Sequence, residues 1–437
     1  MNQDIEVTPF FLCPISLQLM NDPVTVSTGI TYDRESIEKW LFSSENKTCP
    51  VTKQLLTHDA NHLIILTPNH TLRRLIQAWC TMNSSFGIER IPTPKPPTTK
   101  ILIEKLLKEA SDSPHLLIQT LKKLKTIASE SETNRRCIES AGAVEFLASI
   151  VTQNNTSCSS SCSATELIEA SFDDDDVEGF AFDFKIGAED EAINILYNLQ
   201  LSEQGLKTLL NFKNGEFLDS LILFFHKGNY DSRTYAVFLL KSISKVADPS
   251  NLANLNTEFF VELVQLLKDQ ISKKASKATL QTLIQLVEFG RNRVKAIESG
   301  CVFALIELLL DCKERKPCEM ILVLLEMLCQ CADGRFELLI HGCGLAIVSK
   351  KILRVSTMAN DRAVSILLSV SRFSATHFVV QEMLRIGVVA KLCLVLQVDS
   401  GNKAKEKARE ILKLHSKSWM NSHCIPFNLL ASYPTSG

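Results

Sequence analysis

The 437-residue chain contains no Cys-x-x-Cys pair, no eighteen-residue apolar run free of charge, and almost no net charge, at −2. Each shortage removes a class of protein. Its fourteen cysteines are scattered, which suits free buried thiols in a reducing compartment and argues against a disulfide framework. No segment reads as a membrane span, and the acidic opening Met1-Asn2-Gln3-Asp4-Ile5-Glu6 carries no apolar signal region, so a soluble, cytoplasmic protein is expected. Balanced charge gives no overall attraction to nucleic acid or to an anionic bilayer. Glycine is sparse as well, at 16 residues, so its recurrence in fixed surroundings carries information. Against these shortages stands a hydrophobic content of 45%, enough for a large core in two or three domains or in one long repeat array.

The chain is organised around its first eighty residues. Phe11-Leu12-Cys13-Pro14-Ile15-Ser16-Leu17 is answered by Thr48-Cys49-Pro50-Val51-Thr52-Lys53, two apolar loops stiffened by proline. Between them, Val24-Thr25-Val26-Ser27 and Ile30-Thr31-Tyr32 are β-rich runs split by Thr28-Gly29, which predicts a hairpin whose glycine supplies positive φ. Asp33 is the expected cap of a helix with Glu35 in its first turn and Ile37, Trp40 and Leu41 on one face. A second helix is expected after Asn69, with Leu72, Leu75, Ile76 and Trp79 on its apolar side. A two-zinc module would need about eight Cys or His ligands, whereas residues 1–80 hold only Cys13, Cys49, Cys80, His58, His62 and His70. Neither metal nor cofactor is expected. A module this small needs other staples, and salt bridges or hydrogen bonds among Asp22, Asp33, Arg34 and Glu38 are the candidates.

Residues 83–99 lose the apolar period and collect Pro92, Pro94, Pro96 and Pro97, a proline-rich linker after a domain spanning 5–82. Beyond it, Asn134-Arg135-Arg136-Cys137-Ile138-Glu139-Ser140-Ala141-Gly142 returns as Asn292-Arg293-Val294-Lys295-Ala296-Ile297-Glu298-Ser299-Gly300. Weaker copies end at Gly342 and Gly387, steps of 42 and 45 residues, the period of a helical solenoid over 100–420. The copy at Thr257 lacks its glycine. Gly142 to Gly215 is about thirty residues too long, and the excess falls on a Ser/Asp-rich insertion at about 154–184. Its Asp173-Asp174-Asp175-Asp176 run reads as a solvated acidic loop in preference to a calcium site, and the serines at 157, 159, 160, 161 and 163 are candidate phosphate acceptors. Each copy holds two apolar helices, such as Val302 to Leu310 and Met320 to Leu325, that only stacking on neighbours can bury. Ala404 to Trp419, rich in lysine and glutamate, reads as the polar terminal cap. Thr126, Asn198, Ser242, Gln285, Met327 and Ser369 align at one position of successive copies.

The N-terminal motifs, from Phe11-Leu12-Cys13-Pro14-Ile15 through Asp22-Pro23-Val24 and Cys49-Pro50-Val51-Thr52 to Pro68-Asn69-His70-Thr71-Leu72-Arg73, resemble the U-box, the zinc-free relative of the RING domain. The array resembles armadillo repeats. The whole order resembles the plant U-box/armadillo ubiquitin-ligase family. That resemblance implies a mostly α protein, a small ββα-plus-helix module ahead of an α-helical solenoid. It also implies ubiquitin transfer from a charged conjugating enzyme to a protein substrate held by the array, in plant stress or immune signalling, without a covalent intermediate on this chain. Ubiquitin, the conjugating enzyme and the substrate are the implied partners, and a homodimer through the U-box is admitted. By motif, the conjugating-enzyme surface is Ile15, Leu17, Trp40, Pro50 and Lys53; lysine at 53 stands where many members carry arginine. Only Asn198 keeps the asparagine that recurs on peptide-binding armadillo helices, which disfavours a nuclear-import type of groove. The alternative class is a non-catalytic armadillo scaffold with a structural U-box.

Overall fold

The computed structural model describes residues 7–43, 47–57, 64–84, 88–89, 91, 98–152, 176–253, 255–398, 401–419 and 433. The serines of the insertion and Asp173 to Asp175 lie outside the described residues. So do His58, His62 and the four prolines of the linker.

In the N-terminal module, strands β1 (Pro23–Thr25) and β2 (Thr31–Asp33) form the expected hairpin, with Val24 opposite Tyr32. Gly29 closes its turn at φ +82°, donating to the Val26 carbonyl at 2.9 Å. A third strand, β3 (Thr67–Pro68), pairs with the other edge of β1. Two residues, one of them proline, are too few to show the alternation that betrays a strand in sequence. Helix α1 (Arg34–Ser43) leaves β2 directly, and α2 (His70–Met82) is capped by Asn69, whose Oδ1 accepts the Leu72 amide at 3.0 Å. The α2 stripe is rotated from the expected one: Leu75 is exposed, and Cys80 joins Ile76 in the core beside Met20, Val24, Tyr32 and Ile37. Ile91 is also buried in that core, its carbonyl accepting from Gln77.

The rest is helical. After α3 (Lys100–Asp112) and α4 (Leu117–Glu130) come triads in chain order. The first is α5 (Glu132–Ser140), α6 (Ala143–Thr152) and α7 (Asp176–Asn198). Next come α8 (Glu203–Asn211), α9 (Glu216–Lys227) and α10 (Tyr230–Val246). Then follow α11 (Pro249–Leu252), α12 (Thr257–Asp269) and α13 (Lys273–Leu286). The fourth is α14 (Gly290–Glu298), α15 (Cys301–Asp311) and α16 (Arg315–Leu328). The fifth is α17 (Ala332–Ile340), α18 (Gly344–Lys351) and α19 (Thr357–Phe373). The sixth is α20 (His377–Arg385), α21 (Val388–Gln397) and α22 (Asn402–Leu414), followed by the short α23 (Ser416–Trp419). Helix α7 begins inside the stretch that the sequence assigns to the insertion. The chain forms two compact units, Met1–Leu147 with Phe180–Leu201, and Ala148–Gly179 with Ser202–Gly437.

Within the second unit, each third helix packs on the next, from α10 through α13, α16 and α19 to α22. The recurring glycines explain themselves at Gly300 (φ +75°) and Gly387 (φ +77°), where a left-handed residue turns the first helix of a triad into the second. Gly342 is not left-handed; there the close approach belongs to Gly344, where a Cβ would lie 2.0 Å from the Leu338 carbonyl oxygen. Polar side chains stitch copies together about one period apart. Buried Asn292 donates to the carbonyls of Leu252 at 2.5 Å and Leu286 at 3.1 Å, and Lys391 reaches that of Ser349 at 2.8 Å. These carbonyls fall in the last turn of their helices, where the regular i+4 amide runs out; those of Leu286 and Ser349 also accept the amides of Phe289 at 3.4 Å and Ile352 at 3.2 Å. Thr126, Asn198, Ser242, Gln285, Met327 and Ser369 fall near the C-terminal ends of α4, α7, α10, α13, α16 and α19, one per third helix. Several are occupied internally: Ser242 donates to the Phe238 carbonyl, Ser369 to that of Cys329, and Gln285 accepts from Ser244 at 2.7 Å.

Candidate functional site

The two proline loops of the module have the same construction. In the first, Leu12 bridges Leu19, the Cys13 amide donates to the Gln18 carbonyl at 2.8 Å, and Leu17 stands at φ +57°. In the second, Thr48 bridges Leu55, the Cys49 amide donates to the Gln54 carbonyl at 2.8 Å, and Lys53 stands at φ +60°. Ser16 and Thr52 accept the amides two residues on, those of Gln18 and Gln54. The signal is present in the sequence as Cys-Pro-x-Ser/Thr-x-Gln, written twice at positions 13 and 49. Sequence reasoning sees two loops; the structure shows one loop used twice.

Consecutive residues of β2 hold both loops. The Asp33 amide donates to Cys13 Sγ at 3.3 Å, and the Tyr32 hydroxyl lies 3.0 Å from Cys49 Sγ while accepting the Val51 amide at 3.3 Å. Asp33, the expected helix cap, uses its carboxylate elsewhere, accepting the amides of Asn21 at 2.9 Å and Asp22 at 3.0 Å. Asp22 in turn meets Arg34 and Arg73, each at 2.6 Å. Arg73 belongs to the motif Pro68 to Arg73, but nothing in the sequence signals its place in this network. Glu38 is 3.8 Å from Arg34, and its principal bond leaves the module. Among the described residues no cluster of three or more metal-ligating side chains occurs. Hydrogen bonds converge on Cys13 and Cys49 instead.

This arrangement sorts the motif residues. Leu17 is 74% exposed and Lys53 is exposed, its ammonium 5.2 Å from the centre of the Trp40 ring. Val51, at the position in the second loop that matches Ile15, is 55% exposed. Ile15 and Trp40 are half-buried and pack on the module core; the Trp40 indole N–H donates to the Thr48 carbonyl at 2.9 Å and so braces the second loop. Pro50 is half-buried in that loop. The structure therefore gathers Trp40, Pro50 and Lys53 around the second loop, and Ile15 and Leu17 on its counterpart.

Cys49 is fully buried. Burial pushes its thiol up, but donors on Thr28 (3.3 Å), Thr52 (3.5 Å) and Tyr32 outweigh it and bring the sulfur down to about 6. An unfolded thiol titrates near about 8.5, so the folded state binds fewer protons above pH ~6 and gains stability as pH rises from ~6 to ~8.5. The midpoint of module unfolding, followed by the fluorescence of Trp40 and Trp79, is expected to climb over that window. Cys49→Ala should flatten the climb; an unchanged slope in the variant would mean that the thiol stays protonated in the fold.

The paired loops on one strand, followed by helical triads, define a zinc-free U-box-type module ahead of an armadillo-type solenoid. Residues 7–85 match the family model of the U-box domain, and residues 102–435 match that of the plant U-box protein ARM repeat region. The chain belongs to the plant U-box proteins with an ARM repeat region. From Arabidopsis thaliana, the E3 ubiquitin-protein ligase PUB22 is 53% identical over 99% of this chain and 100% of its own, and PUB23 is 51% identical over 99% and 98%. A chain from a solved structure on the interaction between cadherin and β-catenin shares the fold at 14% identity, with a TM-score of 0.55 over 79% of this chain and 58% of that one.

Proposed function

We propose that this chain is a cytoplasmic ubiquitin-protein ligase that transfers ubiquitin by positioning, with no intermediate on its own residues. The observation that carries the reading is the pair of matched loops, pinned from beneath by β2 and presenting Leu17, Val51 and Lys53 to solvent. Ile15 and Leu17 supply the apolar anchors for the conjugating enzyme, Pro50 and Trp40 shape the second half of that surface, and Lys53 offers a cation to the bound ubiquitin. A lysine gives one hydrated point charge where an arginine would give a planar fork, so this contact is the weaker link. The substrate lysine then attacks the thioester carbonyl held on the conjugating enzyme; the amide forms as the thiol leaves. Cys13 and Cys49 are fully buried and hydrogen-bonded, which disfavours a ubiquitin-carrying cysteine in the module. A pure scaffold would not need three large side chains exposed on such rigid loops. The solenoid serves as the substrate platform, and association of two modules, read by sedimentation, completes the partner set.

The test is ubiquitin-chain formation by the full chain with purified activating and conjugating enzymes after exhaustive chelation. Full activity and an unchanged melting profile are expected, because the loops are held by hydrogen bonds and ion pairs. Loss of folding restored by zinc would overturn the assignment.

A further inference from the structure

Glu38 is 3% exposed, yet among its described residues the module gives this carboxylate only Arg34 at 3.8 Å, and that guanidinium is already engaged by Asp22 at 2.6 Å. A buried carboxylate so poorly matched at home is expensive to keep. Its short bond comes from a residue 95 positions away: the Thr133 hydroxyl in the first turn of α5 donates to Oε1 at 2.6 Å. The backbone of Thr133 and Glu132 also favours its charged form. The first amides of a helix have no helical acceptor and carry its positive end; Ser131 Oγ caps the Asn134 amide at 3.1 Å, and the Glu38 carboxylate sits against the same positive end from outside. Burial raises this carboxyl, and Thr133 and Arg34 oppose that rise. One turn along, the Arg136 guanidinium lies 6.0 Å from the centre of the Phe42 ring of α1. Between them on α5, buried Asn134 accepts the Thr98 amide at 3.0 Å, fastening the end of the linker to the same turn. Residues 38 and 40 are about 200° apart around a helix, so the face of α1 that meets α5 is not the one that carries Trp40.

Taking the chain as the ligase proposed above, we infer that Glu38 is a positioning residue: its carboxylate, seated on the first turn of α5, latches the U-box to the start of the solenoid. The latch fixes where a bound, ubiquitin-charged enzyme is held relative to the first helices of the solenoid, α3 to α5, and so selects which lysines it reaches. The spacer read in the sequence would leave that geometry loose, and a fixed geometry raises the effective concentration of some acceptors while excluding others.

The test uses the full chain with Glu38→Ala and, because that change lies inside the module, Thr133→Val, which leaves the module sequence untouched. Hydrogen exchange at the amides of Glu132 and Thr133 is expected to speed up by about tenfold or more in both, since a buried bond to a charged group is lost from that turn. Ubiquitin discharge to free lysine should stay within about twofold of wild type, while the self-modified lysines identified by mass spectrometry change in pattern. Unchanged exchange in both variants, or an unchanged lysine pattern despite faster exchange, overturns the latch. Failure of the wild-type chain to discharge ubiquitin would sink the ligase reading and leave the exchange result to decide the contact.

Discussion

Ile15→Ala is expected to lower ubiquitin transfer about thirtyfold while the module stays folded. Small transient interfaces concentrate their energy in a few apolar anchors, and truncating one costs about 2 kcal/mol, which is about thirtyfold in affinity. The structure refines the stability side of this expectation. Ile15 is half-buried against the module core, so its truncation also removes some packing, about 1 kcal/mol against the ~2–5 kcal/mol of a fully buried site. In a module of this size that lowers the midpoint by about 4–8 °C, which leaves it folded at assay temperature. Leu17→Ala supplies the control: at 74% exposure its truncation should leave melting untouched, so any loss of transfer is loss of contact. The measurement is self-ubiquitination beside thermal unfolding of the same preparations. Native melting with undiminished transfer in both variants would remove the first loop from the docking surface.

Much of this site is legible in the sequence because its signals are local. Gly29 announces the hairpin, Asn69 the cap of α2, and Cys-Pro the two loops, each within a few residues. What escapes is long-range. Strand β3 is two residues long and exists only because β1 has an open edge. Arg73 meets Asp22 across 51 positions, and Glu38 meets Thr133 across 95; no periodicity links such pairs. The expectation that Asp22, Asp33, Arg34 and Glu38 staple one another by salt bridges or hydrogen bonds holds: Asp33 accepts the Asp22 amide, Asp22 meets Arg34 at 2.6 Å, and Arg34 lies 3.8 Å from Glu38. The partners beyond the four escape it, since Asp33 also takes the Asn21 amide and the shortest bond of Glu38 goes to α5. The same division runs through the solenoid. The 42-residue step from Gly300 to Gly342 is visible in the sequence, yet Gly342 itself is not the left-handed joint, because the tight approach has moved to Gly344.

Asp22→Ala is expected to unfold the module outright. Its two oxygens each take a guanidinium at 2.6 Å, from Arg34 on α1 and Arg73 on α2, with all three side chains between 11% and 15% exposed. Arg73 has no slack, since its Nε is already buried without a partner among the described residues. Removing the carboxylate would strand two cations in a low-dielectric site, with Glu38 3.8 Å from one of them and committed to Thr133. Breaking a buried pair from one side costs about 3–5 kcal/mol, comparable to the whole stability of many small domains, about 5 kcal/mol at the low end. Asp22→Asn keeps the shape and one acceptor oxygen, so a smaller loss of about 1.5–3 kcal/mol is expected. High salt should soften neither effect much, because screening acts weakly on groups this enclosed. Urea unfolding followed by Trp40 and Trp79 fluorescence reads the difference. A loss under about 1 kcal/mol in Asp22→Ala would show that the triad behaves as a solvated surface pair. The network would then not be what holds α1 and α2 to the hairpin in place of metal.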